Sequence, residues 1–88
     1  MATMRVAIVS PEEEVWSGEA NFVLATTTDG DLGVWPRHVP LLGVLKDGGD
    51  VKVETDAGDH LYTIGGGFIS VTKDGVSILA ETATPKAA

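Results

Sequence analysis

The chain has 88 residues, a formal net charge of −7 at pH 7 and no cysteine. Its length supports one domain with a single modest core, and the lack of cysteine excludes disulfides and favours a reducing compartment. Its six Lys and Arg residues are scattered, so we expect no nucleic-acid partner, because phosphates would repel an acidic chain. No stretch resembles a membrane span or a signal peptide, so we expect no direct membrane insertion.

Alternation with a period of two begins near the N terminus and recurs along the chain. Apolar residues, most of them β-branched, alternate with residues of other types, which is typical of strands with one buried face. The clearest runs are residues 4–8, 51–54, 68–71 and 76–80. Turns rich in Asp, Gly and Pro separate them, and Ser10 with residues 11–14 could form one acidic helical turn at most. We therefore predict an all-β fold, a flattened antiparallel β-sandwich of short strands.

Residues 29–42 contain the most unusual combination of residue types in the chain. An Asp-Gly turn and a short strand lead into Pro36 and Pro40. Each proline lacks a backbone donor and holds the preceding residue in extended geometry, so the segment between them should cross the surface rather than join a central strand. We call residues 35–40 the proline arch. It carries an aromatic residue, an arginine and a histidine, which predicts a docking surface. Trp35 is expected either to be exposed there or to be buried beneath the arch.

Three consecutive glycines, residues 65–67, stand between two predicted strands. They predict a structural corner, since glycine permits sharp bends and close approach of another backbone. A phosphate-binding loop would require a following lysine and hydroxyl residue at the start of a helix. Residues from Thr82 onward are small and polar and are expected to fray, so we predict a domain at 1–84 and a frayed tail at 85–88.

Six large apolar residues in the predicted strands are expected to form the core. They are Phe22, Leu24, Val53, Leu61, Phe68 and Ile78.

No arrangement of residues predicts catalysis, a metal site or a cofactor. His38 and His60 have no partner at ligand spacing, and no serine lies in a nucleophile elbow. Residues 53–57 resemble the hairpin of lipoyl carrier domains, which are also small, acidic and all-β. The lysine that would carry the cofactor is replaced by Ala57, so a carrier domain is the alternative hypothesis but lacks its reactive amine.

The segment at residues 30–42 resembles a signature of the epsilon subunits of rotary (F-type) ATP synthases. It reads Gly-Asp-Leu-Gly-Val-Trp-Pro-Arg-His-Val-Pro-Leu-Leu, and the family pattern is Gly-Glu-Leu-Gly-Ile-x-Pro-Gly-His-Ala-Pro-Leu-Leu. Further matches are residues 9–11, 15–19, 66–71 and 76–83. The resemblance covers nearly the whole chain in the expected order.

The resemblance implies a noncatalytic subunit of the central stalk of a proton-translocating ATP synthase. Its partners would be the gamma subunit and the c-ring, at the cytoplasmic face of a bacterial plasma membrane. It implies that Asp29 and Asp31 face the c-ring loops, and a basic partner would suit carboxylates in an exposed turn. The implied gamma contacts are Ser10, Trp35, Arg37, His38 and Leu42.

Three features depart from the family pattern. Arg37 replaces a glycine, so the backbone there must avoid glycine-only angles or accept strain, and its guanidinium could pair with an acidic residue of gamma. Gly43 stands where a larger residue is common. Many relatives continue into a helical hairpin that inhibits ATP hydrolysis, and since this chain stops at Ala88 we expect the N-terminal sandwich domain without that hairpin.

Overall fold

The computed structural model describes residues 2–86, and within that range the secondary structure consists of strands and turns. The predicted all-β class is confirmed. The ten strands are β1 (Met4–Val9), β2 (Glu14–Ala20), β3 (Phe22–Thr27), β4 (Gly30–Val34), β5 (Leu41–Leu45), β6 (Gly49–Thr55), β7 (Gly58–Ile64), β8 (Gly67–Thr72), β9 (Gly75–Ala80) and β10 (Ala83–Pro85). Residues 10–13, expected to form one helical turn at most, form a bend in which the Ser10 N–H donates to the Glu13 carbonyl oxygen at 2.9 Å.

The strands form a sandwich of two layers. Pairing follows the order β10-β7-β6-β3-β5-β8-β9-β1-β2, with β4 also paired to β3. The link between β3 and β5 is a single residue pair, Thr27 with Leu45. It divides the sheet into a first layer, β4-β3-β6-β7-β10, and a second layer, β5-β8-β9-β1-β2. The predicted antiparallel arrangement holds except between β1 and β9, which pair in parallel.

The core lies between the layers and is made of the inward-facing residues of each strand. The fully buried residues are mostly β-branched, a type that packs well on a pleated surface. They are Val6, Ile8, Ala20, Val23, Ala25, Val34, Val51, Val53, Ile69 and Ile78, each with 0% exposure. Gly43 faces this core too, because a Cβ placed there would lie 3.2 Å from Cγ2 of Ile69.

The predicted core is right for two of its six residues. Val53 and Ile78 are fully buried. The prediction is wrong for Leu24 and Phe68, which have 36% and 49% of their surfaces exposed. The reason is strand alternation: Ile69, next to Phe68, points inward, so Phe68 must point outward.

The other two predicted core residues occupy an intermediate position. Phe22 and Leu61 are half-buried. Each sits on the outer face of the first layer, one residue away from an inward-facing neighbour, Val23 and Tyr62 respectively. The prediction relied on side-chain size, and size does not determine the face on which a strand residue lies.

Three hairpins close with the same Thr-x-x-Gly sequence, at residues 27–30, 55–58 and 72–75. In each, the threonine hydroxyl accepts the backbone N–H of the third residue at 3.1–3.2 Å. The closing glycines have φ values of 118°, 127° and 141°, which other residues rarely adopt. The pattern is visible in the sequence and fixes where each pair of strands turns.

The glycine triplet forms the predicted corner. It carries the chain from β7 in the first layer to β8 in the second. Gly67 has φ 138°, and a Cβ there would collide with the Leu79 carbonyl oxygen. Only glycine therefore lets β8 start beside β9 at this point.

The chain continues as a strand past the predicted start of fraying. β10 pairs with β7 through Ala83, Thr84 and Pro85, and the Lys86 N–H donates to the Leu61 carbonyl oxygen at 2.8 Å. Fraying is thus wrong for residues 83–86, because backbone hydrogen bonds hold them at the sheet edge. Residues 87 and 88 of the predicted tail lie outside the described residues, and the domain boundary stays a prediction.

Adjacent residues of β9 provide a matched test of the two faces. Ile78→Ala should lower the free energy of unfolding by about 2–4 kcal/mol, because it leaves a cavity in the core. Leu79→Ala should lower it by less than about 1 kcal/mol, since Leu79 is 47% exposed. Urea unfolding monitored by circular dichroism measures both values. Equal losses would contradict the assignment of the two side chains to opposite faces.

Candidate interaction surfaces

The proline arch crosses the surface between β4 and β5, as predicted, and forms no strand. Its turn is closed by the His38 N–H, which donates to the Trp35 carbonyl oxygen at 3.1 Å. Proline at the second position and a positive φ at the third are the pattern of a type II turn. The third position is Arg37, with φ 68°, so the backbone has accepted the strain that its side chain imposes.

Trp35 is 60% exposed, so of the two placements that the sequence leaves open it takes the exposed one. Its ring packs against Phe22, with ring centroids 5.1 Å apart and planes tilted by 51°. Gly33 makes room for this pair, because a Cβ there would lie 3.1 Å from the Phe22 ring. Phe22, which alternation places on the outer face, therefore packs against the arch through this ring contact.

The outer face of the second layer carries a row of apolar side chains. Phe68 is paired with Val44 on one neighbouring strand and with Leu79 on the other, and Leu79 is paired with Val9. Val44, Phe68 and Leu79 are each about half exposed, and Leu42, on the same side of β5, is 72% exposed. We call Val9, Leu42, Val44, Phe68 and Leu79 the apolar face. Sequence reasoning missed it, although alternation in β8 and β9 was a sufficient signal.

A groove of ≈ 310 Å³ adjoins the apolar face at the end of β1 and the start of β8. Ser10, Pro11, Phe68 and Leu79 line it. The Ser10 hydroxyl also accepts the Glu13 N–H at 3.3 Å, so the bend after β1 has a defined shape. Ser10 therefore lies at the edge of the apolar face.

One end of the sandwich is strongly acidic. Five residues on neighbouring strands pair in succession across that end and through both layers. They are Gly30, Thr27, Leu45, Gly67 and Ala80. The loops and strand ends around them expose seven carboxylates. We call this set the acidic end: Glu12, Glu13, Glu14, Asp29, Asp31, Asp47 and Glu81.

The turn that carries the predicted c-ring contacts belongs to the acidic end. Asp29 and Asp31 are exposed, and the Thr26 hydroxyl donates to Oδ1 of Asp31 at 3.3 Å. The Asp29 N–H is held by the Thr27 hydroxyl at 3.1 Å. The two carboxylates are thus presented to solvent from a hairpin of fixed shape.

The structure divides the predicted gamma contacts between two places. Ser10 and Leu42 lie on or beside the apolar face, whereas Trp35, Arg37 and His38 lie on the proline arch, at the opposite end of the strands from Asp29. The His38 Nδ1 donates to the Val39 carbonyl oxygen at 2.7 Å, which orients the ring within the arch. These contacts stay predictions.

The described residues offer no group of three or more His, Asp or Glu side chains that could hold a metal ion. The described part of the chain, residues 2–86, contains no helix that could span a membrane. Burial raises the pKa of the Tyr62 hydroxyl, so this core residue stays neutral at physiological pH. Ala57 lies in the turn between β6 and β7, so the tip of the lipoyl-like hairpin has a methyl group in place of an amine.

Comparison of the sequence with known families gives a match over residues 3–86 to the ATP synthase delta/epsilon chain, beta-sandwich domain. The ATP synthase epsilon chain of Frankia casuarinae is 66% identical over 80 residues, which are 91% of this chain and 94% of that protein. The ATP synthase epsilon chain of Mycobacterium sp. (strain KMS) is 51% identical over 84 residues, 94% of this chain and 69% of that protein.

Solved structures of similar fold come from ATP synthases. A chain in the Euglena gracilis mitochondrial ATP synthase, OSCP/F1/c-ring in rotational state 1, matches with a TM-score of 0.88 and 25% identity. The match covers 97% of this chain and 54% of the Euglena chain. A chain in the central stalk/c-ring of the Tetrahymena thermophila mitochondrial ATP synthase matches with a TM-score of 0.73 and 22% identity, over 93% of this chain and 66% of that one. The second likeness shows the fold alone.

Because the backbone at Arg37 is strained, a glycine at this position should stabilise the folded protein. Arg37→Gly should be more stable than Arg37→Ala by about 1 kcal/mol, because both remove the guanidinium and only glycine relieves the left-handed backbone. Urea unfolding monitored by tryptophan fluorescence measures the difference.

Lys73 provides the control, since it is an exposed turn residue without a positive φ. At this position the Lys73→Gly variant should be no more stable than the Lys73→Ala variant. The same ranking at both positions would show that Arg37 is not strained.

Proposed function

This chain belongs to the ATP synthase delta/epsilon chain family, of which it is a beta-sandwich domain, and from that we propose that it is a noncatalytic rotor subunit of the central stalk. In this role it couples rotation of the c-ring to the gamma subunit during ATP synthesis. It acts as a peripheral part of a membrane-bound complex, at the cytoplasmic face of a bacterial plasma membrane. The observation that carries the proposal is that one rigid sandwich presents two chemically different surfaces, the apolar face and the acidic end.

The apolar face is the proposed surface for gamma. Half-exposed Val44, Phe68 and Leu79 lie side by side on three paired strands, and contiguous exposed apolar side chains are typical of protein interfaces. Leu42 and Ser10, which the family resemblance implies as gamma contacts, border this row. Burying the row would remove water from apolar surface and stabilise the assembly.

The acidic end is the proposed surface for the c-ring. Asp29 and Asp31 project from the hairpin between β3 and β4, with further carboxylates on the neighbouring loops. A field of one sign speeds encounter with a basic surface and orients the partner. The Euglena structure to which this chain is similar contains a c-ring, which supports a partner of this kind.

The sandwich suits mechanical coupling because its two surfaces are fixed relative to each other. The apolar face is held by the ladder from β5 through β1, and the acidic end by the pairs that join both layers at Thr27 and Leu45. Close-packed interiors transmit strain with little compression.

Charge reversal at the acidic end tests the c-ring contact. Asp31→Lys should weaken association with the isolated c-ring more than association with gamma, and the loss should shrink at high salt, because exposed charges are screened. Surface plasmon resonance with immobilised c-ring and immobilised gamma measures the two affinities. Asp74→Lys, an exposed substitution in the hairpin at the other end, is the matched control and should leave c-ring binding nearly unchanged.

Substitution on the apolar face should give the reverse pattern. Leu42→Glu and Phe68→Glu should weaken gamma binding at least tenfold, roughly the effect of 1.4 kcal/mol, with little change in binding to the c-ring. Both residues are exposed, so the sandwich should remain folded, which circular dichroism checks. Equal losses for both partners, or none, would show that the faces are wrongly assigned.

A further inference from the structure

The second layer ends in a strand that has a neighbour on one side only. β2 pairs with β1 and stands last in the order of strands. It has seven residues and contains neither proline nor lysine, two residue types that commonly protect an exposed edge from pairing with another chain. The strand at the far edge of the first layer, β10, has three residues and ends in Pro85. Of these two edges, β2 is therefore the better suited to accept a further strand.

The geometry of β1 shows which backbone groups β2 directs toward its free edge. A Cβ at Gly75 would collide with the Arg5 carbonyl oxygen, so Arg5 directs its backbone groups toward β9. Arg5 is paired with Glu19 of β2. Because successive strand residues bond to opposite sides, Glu19 and Ser17 direct their N–H and C=O groups away from β1. Within residues 2–86 no other backbone group bonds to them, so they are available to a second strand.

The side chains of β2 suit pairing with β2 of a second copy of this chain. In an antiparallel pairing centred on Gly18, Ser17 would lie opposite Glu19 of the second copy, and Trp16 opposite Ala20 of that copy. A glycine at the centre permits the close approach of the two strands, and each large ring faces a small side chain. The Trp16 ring rests on Gly18, since a Cβ there would lie 3.0 Å from its Cζ2 atom. Both rings would therefore lie near the centre of the pairing and bury apolar surface there.

Arg5 and Glu19 supply charge complementarity across this edge. In residues 2–86 the ion pairs are made by Lys52 and Lys86, so Arg5 has no carboxylate partner there. Its Nη2 lies 3.4 Å from the Ser17 hydroxyl, which directs the guanidinium from β1 toward the free edge. Because Ser17 would lie opposite Glu19 of the second copy, each guanidinium would come within reach of a carboxylate of the other chain.

We propose that the chain forms a dimer in which β2 pairs with β2 of a second copy, antiparallel and centred on Gly18. The second layers of the two copies then form one continuous sheet. The net charge of −7 on each copy opposes their approach, so the dimer is reversible and its population rises with protein concentration. The inference does not depend on the proposed function, because it concerns neither the apolar face nor the turn at Asp29.

Sedimentation equilibrium of the full 88-residue chain measures the dissociation constant of the dimer. Ser17→Pro should raise this Kd at least about tenfold, because proline removes an N–H that points to the free edge and leaves the bonds to β1 in place. Ser17→Ala is the matched control: it keeps the N–H and should change the Kd by less than about twofold. Circular dichroism checks that both variants are folded.

Two charge variants test the register without altering the backbone. Arg5→Glu would bring only carboxylates together from positions 5 and 19 of the two copies, and Glu19→Lys would bring only cations together. Each variant alone should therefore dimerise at least about tenfold more weakly than the unaltered chain. A mixture of the two variants places carboxylates opposite cations again, so the mixed dimer should have a Kd at least about tenfold below that of either variant alone.

The inference is overturned if the unaltered chain stays monomeric at millimolar concentration, or if Ser17→Pro and Ser17→Ala dimerise alike. It is also overturned if the mixture associates no more tightly than its components. If Phe68→Glu abolishes the dimer while Ser17→Pro does not, the contact lies on the apolar face and the inference is wrong. Loss of dimerisation in Ser17→Pro with intact gamma and c-ring binding would support the inference and leave the proposed function standing.

Discussion

Neighbouring side chains of a strand point to opposite faces, and this constraint determines what the chain buries and what it can offer a partner. In β9, Val76, Ile78 and Ala80 are buried while Leu79 is exposed. Each layer covers one face only, so every large apolar residue at an outward position remains in contact with water. The apolar face follows from the same alternation that builds the core, and a shift of one residue in register would exchange them.

Local backbone chemistry made much of the fold predictable. The prolines at 36 and 40 and the glycines at 65–67 restrict or free the backbone at their own positions, so the arch and the corner could be inferred without knowing what lay nearby. The core was less predictable because size was used in place of alternation, which misplaced Leu24 and Phe68. The parallel pairing of β1 with β9 brings together distant segments and has no local signal.

The candidate surfaces were harder to predict than the fold, because a continuous motif does not make a continuous surface. Residues 30–42 read as one signature, but the strand β4 stands between Asp29 and Trp35. Its five residues span about 15 Å at about 3.3 Å per residue, which places the carboxylates and the arch at opposite ends. Ser10 and Leu42 are distant in sequence, but they lie on or beside the same outer face because β5, β8, β9 and β1 pair side by side.

The arrangement of the apolar face and the acidic end has a mechanical consequence for the proposed rotor subunit. A body held by one small patch can pivot about that patch under load, whereas a body held on two surfaces that face different directions must deform before it turns. The apolar face lies on the flat side of the second layer, and the acidic end adjoins it at the strand ends, so the two contacts would hold the sandwich from different directions. Deformation would require shearing the β5-β8-β9-β1 ladder or opening the closely packed valines and isoleucines between the layers. Both are cooperative and costly, so stiffness here arises from the same burial that keeps the chain folded.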